Sequence, residues 1–546
     1  MQNISEIKTL FNESKYEELV QLVKSNSDND NELKDLENIE QSIICYCYVR
    51  SLLELGSLDE AMSLGDYRYK KSLNSENLVL RLYDIVTYAY ALMNRGLYQN
   101  MISIELEGNE ISTKLLASKE KDKDLLEVIT LYKNIVGNAF LLTDSLNKAL
   151  RYYKECLDIR QKIPNNENFI ADSLLNIGIV YFLQGNYNQA YDFESQALQM
   201  KKKNDEKYGI LNTSVNLVIL MINQGRWNEA TDLIGESMEL AVSIKNLKFE
   251  SILLQMLGDI NENKGKLDDA VNFYNQSLKI KEKIGNKKLI ADIFVSLGYV
   301  YIEKKEYKEA LTCFNKSNEY YTISGSNFHM INSTFWIFWI HYTLGNELKI
   351  EHFASEMFKD LERYHELRTN QIYIITKALY ASFKNRYVLD SENSQAIQDL
   401  LEKSDIVDLK LQIIASNILC IYKLNKLKIE DKIELRNEIS ELFENIYNMG
   451  VEKNSFKFMV ISLILKAKFN LILGNIDTTL ESINQAKEIA KEFDLERLLT
   501  ELEKEERELS DKIDLWYKDI PVNPTINEKI DDSNILDYLH DIMKIL

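Results

Sequence analysis

One short pattern returns along this chain at a fixed interval. The stretch GKLDDAVNFYNQSL begins at Gly265, and related stretches begin at Gly185, Gly225 and Lys305, each 40 residues from the next. A fixed internal period predicts a stack of similar units that share one continuous core, so the length of 546 residues does not imply several globular domains. The period therefore constrains the fold more than any other feature.

Each period has the pattern of two helices joined by a short turn. A column of small residues lies in the second helix, and a glycine five residues earlier predicts the left-handed end of the first helix. A further column of small residues, with Gly178 as its reference, lies in the first helix. Small residues at both places let two antiparallel helices approach closely. The alanine column consists of Ala190, Ala230, Ala270 and Ala310.

Composition supports helices throughout. The chain has 18 glycines and 3 prolines, too few to punctuate many strands and turns, and 45% of its residues are hydrophobic. These observations predict an all-α fold, an α-α superhelix of about twelve antiparallel helix pairs. The expected segments are residues 1–115, 128–365, 366–450, 451–519 and 520–546: the N-terminal units, a regular array, degenerate helical repeats, a C-terminal unit with a charged helix, and a linker with an amphipathic helix.

The columns resemble the tetratricopeptide repeat, whose small and aromatic positions match Gly178, Tyr181, Ala190 and Ala197. The resemblance is to the long variety with about 40 residues per unit, seen in kinesin light chains, spindle-orientation adaptors and archaeal and bacterial arrays. It implies a scaffold that binds a peptide or a helix of a partner protein in the concave groove lined by the first helices. Family members of this kind hold peptides with asparagines two residues before the small column, where Asn176 and Asn216 lie.

Side chains of the first helices that do not point into the stack are the candidate binding residues. Carboxamides recur among them, and a carboxamide can both donate to and accept from a peptide backbone. Acidic members would favour a basic peptide. The alternative interpretation is a solvated polar face with no ligand. The predicted peptide-binding residues are Asn134, Asn138, Asn176, Asn212, Asn216, Gln255, Asp259, Glu262, Tyr299, Trp336 and Trp339.

An aromatic cluster within STFWIFWIHYTLG, from Ser333, contains the two tryptophans of that set. Tryptophan dominates binding hot spots, so Trp336 or Trp339 could anchor a partner. The favoured interpretation is a thickened core at the place where regular repeats give way to degenerate ones.

The C-terminal stretch DSNILDYLHDIMKIL predicts an amphipathic helix with Ile535, Leu539, Ile542 and Leu546 along one face. It could cap the last repeat or enter the groove as an internal ligand, and capping is the favoured prediction because a terminal unit must cover its open face. The same helix, or the aromatic cluster, could instead hold two copies of the chain together as a homo-oligomer.

Charge and motifs exclude several classes of function. The formal charge of −20 disfavours nucleic acid and anionic membranes as partners. No metal-ligand spacing among the histidines, phosphate-binding glycine loop or nucleophile elbow is present, so we predict a non-enzyme without cofactor or metal. Five cysteines without a CxxC pair, and an N-terminus without a signal-peptide pattern, predict a cytoplasmic protein.

Two function hypotheses of different classes remain. The first is a protein-binding scaffold. The second is a peptide- or signal-responsive regulator that changes its superhelical conformation, with a self-assembling structural protein as a further option.

Overall fold

A computed structural model describes residues 4–12, 15–26, 38–55, 57–118, 123–143, 145–361, 367–385, 389–403, 409–518 and 524–545. These residues form 28 α-helices and one π-helical turn and contain no strand. In sequence order, α1 to α25 make twelve helix pairs if the short α6 and the adjoining α7 count as one helix. The all-α fold of stacked pairs predicted from the 40-residue period is confirmed. Leu546, predicted on one face of the C-terminal helix, lies outside the described residues.

The chain divides into two compact units, Met1–Leu220 and Met221–Leu546. The helices of the first unit are α1 (Ile4–Asn12), α2 (Tyr16–Asn26), α3 (Ile39–Glu54), α4 (Leu58–Ser72), α5 (Leu78–Asn94), α6 (Tyr98–Ser103), α7 (Glu105–Leu116), α8 (Lys123–Leu142), α9 (Leu146–Arg160), α10 (Glu167–Leu183), α11 (Tyr187–Lys203) and most of α12 (Lys207–Asn223).

The second unit continues with α13 (Trp227–Ser243), α14 (Leu247–Asn263), α15 (Leu267–Ile284), α16 (Lys287–Glu303), α17 (Tyr307–Ser324), α18 (Asn327–Thr343), α19 (Glu347–Leu361), α20 (Leu367–Lys384), α21 (Ser391–Lys403), α22 (Leu409–Glu430), α23 (Ile433–Glu452), α24 (Phe456–Leu473), α25 (Ile476–Glu492), α26 (Glu496–Ile513), the π-helical turn Asp514–Lys518, α27 (Ile526–Asp532) and α28 (Ile535–Ile545). The predicted division into five segments stays a prediction.

The turns inside the pairs adopt the left-handed backbone that the glycine column predicted. Gly185, Gly225 and Gly265 have φ values of 76°, 69° and 78°. Lys305 takes the same place in the next pair with φ 63°, a conformation that costs a lysine more than a glycine. At the turn between this pair and the one before it, the Asn286 side chain accepts a hydrogen bond of 3.2 Å from the amide of Leu289, so it caps the start of α16.

The alanine column lies at the centre of the stack. All four of its alanines have no exposed surface, so the register read from the sequence is confirmed. The five cysteines are unpaired and buried. Burial raises the pKa of the Cys313 thiol to about 12, so it stays protonated at neutral pH.

The second unit closes on itself through its turns. Phe456 and Phe493 stack with ring centroids 3.5 Å apart, and the ring of Trp227 lies 6.3 Å from that of Phe493. An ion pair adds to this contact, because Lys264 Nζ lies 3.3 Å from Asp494 Oδ2. Turns near the start of the unit therefore pack on turns near its end, so the first helices of distant pairs face each other.

Candidate functional site

An aromatic residue of the second helix packs on the small column of the first helix. A Cβ atom on Gly137, Gly258 or Gly298 would lie 2.4–2.7 Å from the ring of the residue 16 positions later in the chain. Glycine is required there because the ring occupies the place of a side chain. These rings are Tyr153, Tyr274 and Phe314. The sequence analysis missed them, although their spacing from each glycine is constant in the sequence.

The tyrosine rings of this arrangement reach the predicted binding residues. The Tyr153 hydroxyl donates to Asn138 Oδ1 at 2.6 Å. The Tyr274 hydroxyl lies 2.7 Å from Asp259 Oδ1 and 2.8 Å from Glu262 Oε2, and its single proton is shared between these two acceptors. Part of the hydrogen-bonding capacity of these three candidates is therefore used within the repeats.

Two of the other asparagines of the first unit are joined across neighbouring first helices, and two more lie one turn apart on α12. Asn176 Nδ2 of α10 donates to Asn134 Oδ1 of α8 at 2.8 Å, and both side chains are partly exposed. In α12, Asn216 Nδ2 donates to the backbone carbonyl of Asn212, whose own side chain is exposed. One hydrogen bond leaves each carboxamide with further donor or acceptor positions.

Glu194 takes the place of the ring in the pair that contains Gly178. A Cβ atom on Gly178 would lie 2.6 Å from Glu194 Cγ, and the Glu194 side chain is buried with 2% exposure. Its Oε2 atom has no hydrogen-bond partner. Burial alone raises the pKa of this carboxyl to about 8. In this pair the first helix therefore packs on a carboxyl group in place of an aromatic ring.

The candidates of the second unit are engaged by residues of the same unit. Gln255 Oε1 accepts a hydrogen bond of 2.6 Å from Lys281 Nζ. Burial raises the pKa of Asp259 to about 7, although the hydrogen bond from the Tyr274 hydroxyl acts in the opposite direction. Burial lowers the pKa of Lys281 to about 8. These groups form a partly buried polar network along α14 and α15.

A lysine of the chain itself lies against the acidic and aromatic candidates. Lys410 Nζ of α22 lies 3.9 Å from the ring centroid of Tyr299 and 3.9 Å from Glu262 Oε1. This arrangement is a cation–π contact with a neighbouring carboxylate, which is the chemistry predicted here for a basic peptide. In the second unit, the Lys410 side chain occupies the place predicted for a basic residue of a peptide.

The two tryptophans are buried. Trp336 and Trp339 are 0% and 1% exposed, and the Trp336 ring lies 5.1 Å from Tyr299 and 6.2 Å from Phe314. In this conformation no partner can contact either tryptophan, and their packing agrees with the interpretation of the cluster as a thickened core. Trp336 Nε1 has no hydrogen-bond partner, so the ring is held by its packing.

The C-terminal helix α28 was predicted to cap the last helix pair, but it packs elsewhere. Its main contacts are with α16, α22 and α24, the first helices of three pairs. Ile535, Leu539 and Ile542 are buried on that side with at most 3% exposure. The capping prediction is corrected because the closed second unit brings these three helices together around one apolar stripe.

Two observations on the described residues concern metal binding and membrane insertion. Within these ranges no group of three or more histidine, cysteine, aspartate or glutamate side chains has the arrangement of a metal site. One described helix, α8, is long and apolar enough to cross a membrane, but 67% of the relevant window is buried inside the first unit, as in the core helix of a folded domain. The non-enzymatic role and the cytoplasmic location stay predictions.

Comparison with solved structures finds several distant likenesses. The crystal structure of a Rap protein complexed with competence and sporulation factor has 12% identity and a TM-score of 0.41, over 65% of this chain and 100% of that chain. The apo form of the quorum sensor NprR from B. thuringiensis has 12% identity and a TM-score of 0.40, over 83% and 99%. A STAND protein with a tetratricopeptide repeat sensor, PH0952 from Pyrococcus horikoshii, has 16% identity and a TM-score of 0.43, over 68% and 53%.

Sequence comparison finds the repeats themselves. No curated protein sequence matches the chain significantly. Models of the tetratricopeptide repeat match residues 127–203, and again residues 253–284 and 291–321. The matched residues include the Gly178 and Ala190 positions and their equivalents in the second unit, where the structure shows paired antiparallel helices. The chain contains tetratricopeptide repeats at these residues.

Proposed function

We propose that the chain is a non-enzymatic protein-interaction scaffold, and that it binds an extended peptide of a partner protein along the first helices of the unit Met1–Leu220. The observation that carries this proposal is the hydrogen bond of 2.8 Å between Asn176 and Asn134, which aligns carboxamides on neighbouring first helices. Asn212 and Asn216 extend the row to α12. A row of carboxamides pairs with a peptide backbone while demanding little of its sequence.

The first unit is favoured over the second because all of its candidates are partly or fully exposed, whereas two candidates of the second unit are buried. In the second unit, Lys410 and Tyr274 already contact Glu262, and the tryptophans are inside the core. Asn138 is an intermediate case, since its oxygen accepts from the Tyr153 hydroxyl and its amino group is a further donor.

The charge of the chain supports a basic peptide. The formal charge is −20, which attracts partners that carry lysine and arginine. The Glu194 carboxyl does not contribute, because its 2% exposure leaves it out of reach of a peptide side chain.

A selection from a random peptide library on the immobilised full chain tests the proposal. Peptides that are recovered are titrated against wild type, Asn176→Ala/Asn216→Ala, and the control Asn188→Ala/Gln196→Ala, whose side chains are exposed on α11. We expect the first double variant to lose about tenfold or more in affinity, since each lost hydrogen bond contributes roughly 1 kcal/mol. The control binds as wild type does. Equal affinities for all three proteins would reject the asparagine row.

The alternative is a signal-responsive regulator, and one observation favours it. The C-terminal helix lies on first helices of the second unit, so its release would change which surface the chain presents. Self-assembly through that helix or through the aromatic cluster is the remaining option. Light scattering on the full chain across a range of concentrations distinguishes it, since self-assembly requires a mass that rises with concentration.

A further inference from the structure

The first unit contains a cavity of about 320 Å³. It lies among α1, α3, α5 and α8, and the turn between α9 and α10 completes its wall. Pockets for small molecules begin at about this volume, which corresponds to roughly ten water molecules of the liquid. The described residues that line the cavity include none of the asparagines of the row, which are Asn134, Asn176, Asn212 and Asn216.

One part of the cavity wall is aromatic and apolar. The ring centroids of Phe11 and Tyr46 are 5.9 Å apart, and those of Tyr46 and Tyr83 are 6.4 Å apart, so rings from α1, α3 and α5 adjoin one another. Ile43 and Ile163 also line the cavity, and each is 4% exposed. A wall of this kind favours a hydrophobic group over a sugar or an inorganic ion.

A buried arginine lines the same cavity. Arg160, the last residue of α9, is 4% exposed, and its Nη1 atom donates to the backbone carbonyl of Phe169 at 2.7 Å and to Ser173 Oγ at 2.8 Å. Its Nε atom has no hydrogen-bond partner, and no carboxylate of the described residues forms an ion pair with it. A buried positive charge without an anion beside it is unfavourable.

Arg68 shows how the same unit accommodates another buried arginine. Its side chain has no exposed surface, its Nη2 atom lies 3.0 Å from Asp84 Oδ1, and the same atom donates to Ser42 Oγ at 2.5 Å. The chain therefore supplies a carboxylate to Arg68 but none of its described carboxylates to Arg160. A carboxylate from outside the chain would complete the site of Arg160 in the same way.

The solvent side of the cavity carries further positive charge. Lys8 Nζ lies 3.6 Å from Asp124, and Lys123 Nζ lies 3.6 Å from Glu127, in pairs that are partly or fully exposed and therefore weak. With Arg160, three cationic side chains and one acidic side chain, that of Glu127, line the cavity. The formal charge of the whole chain is −20, so this local excess of positive charge is specific to the cavity and favours an anion.

We propose that this cavity binds a small amphipathic carboxylate, with one hydrophobic group and roughly ten non-hydrogen atoms. The carboxylate lies beside the Arg160 guanidinium, and the hydrophobic group packs on the rings of Phe11, Tyr46 and Tyr83. The site binds a small molecule and shares no residue with the asparagine row, so it does not depend on the function proposed there.

Isothermal titration calorimetry on the full chain tests the proposal. The probes are phenylbutyrate and its neutral isostere phenylbutyramide, titrated against wild type, Arg160→Gln and the control Arg151→Gln, an exposed arginine of the same helix. We expect wild type and the control to bind the carboxylate at least about tenfold more tightly than the amide, because only the carboxylate pairs with the guanidinium. Arg160→Gln is expected to lose this preference. Equal affinities of wild type for the two probes, no binding of either at millimolar concentration, or a preference that persists in Arg160→Gln would overturn the proposal.

Two further variants keep the result decisive even if Arg160→Gln fails to fold. Leu131→Trp retains the arginine and adds bulk at a half-buried residue of α8 that lines the cavity. It is expected to bind phenylbutyrate at least about tenfold more weakly than wild type, because the indole takes the place of the hydrophobic group. Asn176→Ala/Asn216→Ala is expected to bind phenylbutyrate as wild type does. Undiminished binding by Leu131→Trp, or binding lost in the asparagine variant, would place the ligand elsewhere and reject the site.

Discussion

At the scale of single residues, the repeat depends on what fills the space above each small column. Tyr274 fills it over Gly258, and its hydroxyl reaches the inner face of the unit, where it binds Asp259 and Glu262. The same ring therefore seals the helix pair and orients two candidate binding side chains. In the pair of Gly178, a glutamate does the packing but leaves an oxygen without a partner.

The pH dependence of stability follows from this glutamate. The pKa of Glu194 rises from its ordinary value of 4.5 to about 8, so between about pH 5 and pH 8 the folded chain binds a proton that the unfolded chain has lost. Stability then falls as the pH rises through this window. We expect the free energy of unfolding of Glu194→Gln to exceed that of wild type by on the order of 3 kcal/mol at pH 8 and to equal it at pH 4.

Urea unfolding at a series of pH values measures this difference. Glu194→Tyr, which restores the ring present at Tyr153 and Tyr274, is expected to show the same loss of pH dependence. The control is Glu236→Gln, an exposed carboxyl of α13, whose substitution leaves the pH profile of wild type unchanged. A wild-type curve that is parallel to that of Glu194→Gln at every pH would contradict the burial of an unpaired carboxyl.

At the scale of elements, neighbouring helices depend on the close approach that the alanine column permits. Ala270 of α15 has no exposed surface, and α15 packs along α14 over most of its length. A larger side chain at this place would separate the two helices, and a charge would have no partner among the apolar residues around it.

Ala270→Glu is therefore expected to lower the free energy of unfolding by about 3 kcal/mol or more, because it combines overpacking with a buried unpaired charge. Thermal unfolding followed by circular dichroism measures the change. Gln276→Glu adds the same charge to an exposed place on α15 and is expected to unfold as wild type does. A melting curve of Ala270→Glu that coincides with that of the control would refute the placement of the alanine column at the helix contact.

At the scale of the whole molecule, the second unit differs from a simple one-dimensional stack because turns from its two ends are in contact. Phe493 is central to this closure, since it stacks on Phe456 and lies against Trp227. Gly225 belongs to the same contact: a Cβ atom there would lie 2.3 Å from the Phe493 ring. Contacts of this kind join repeats that a stack of nearest neighbours would leave independent.

Phe493→Ala is expected to lower the free energy of unfolding of the second unit by roughly 3 kcal/mol. Its unfolding is also expected to become less cooperative. Urea unfolding followed by tryptophan fluorescence reports it, since Trp227 lies at the contact. The matched control is Phe328→Ala, an aromatic truncation at a partly exposed position of α18. An unchanged urea midpoint and slope in Phe493→Ala would show that the ends of the unit do not support each other.

The sequence by itself determined the helix pairs, their 40-residue register and the alanines at their contacts, because these follow from local periodicity and from side-chain size. It also identified the asparagines on the first helices, since their place in the period fixes their face. The tertiary structure alone decided which of these side chains remain accessible. Lys410, the buried tryptophans and α28 fill the inner face of the second unit. Their contacts join residues more than 60 positions apart, or rings packed across pairs, and no local pattern encodes such closure.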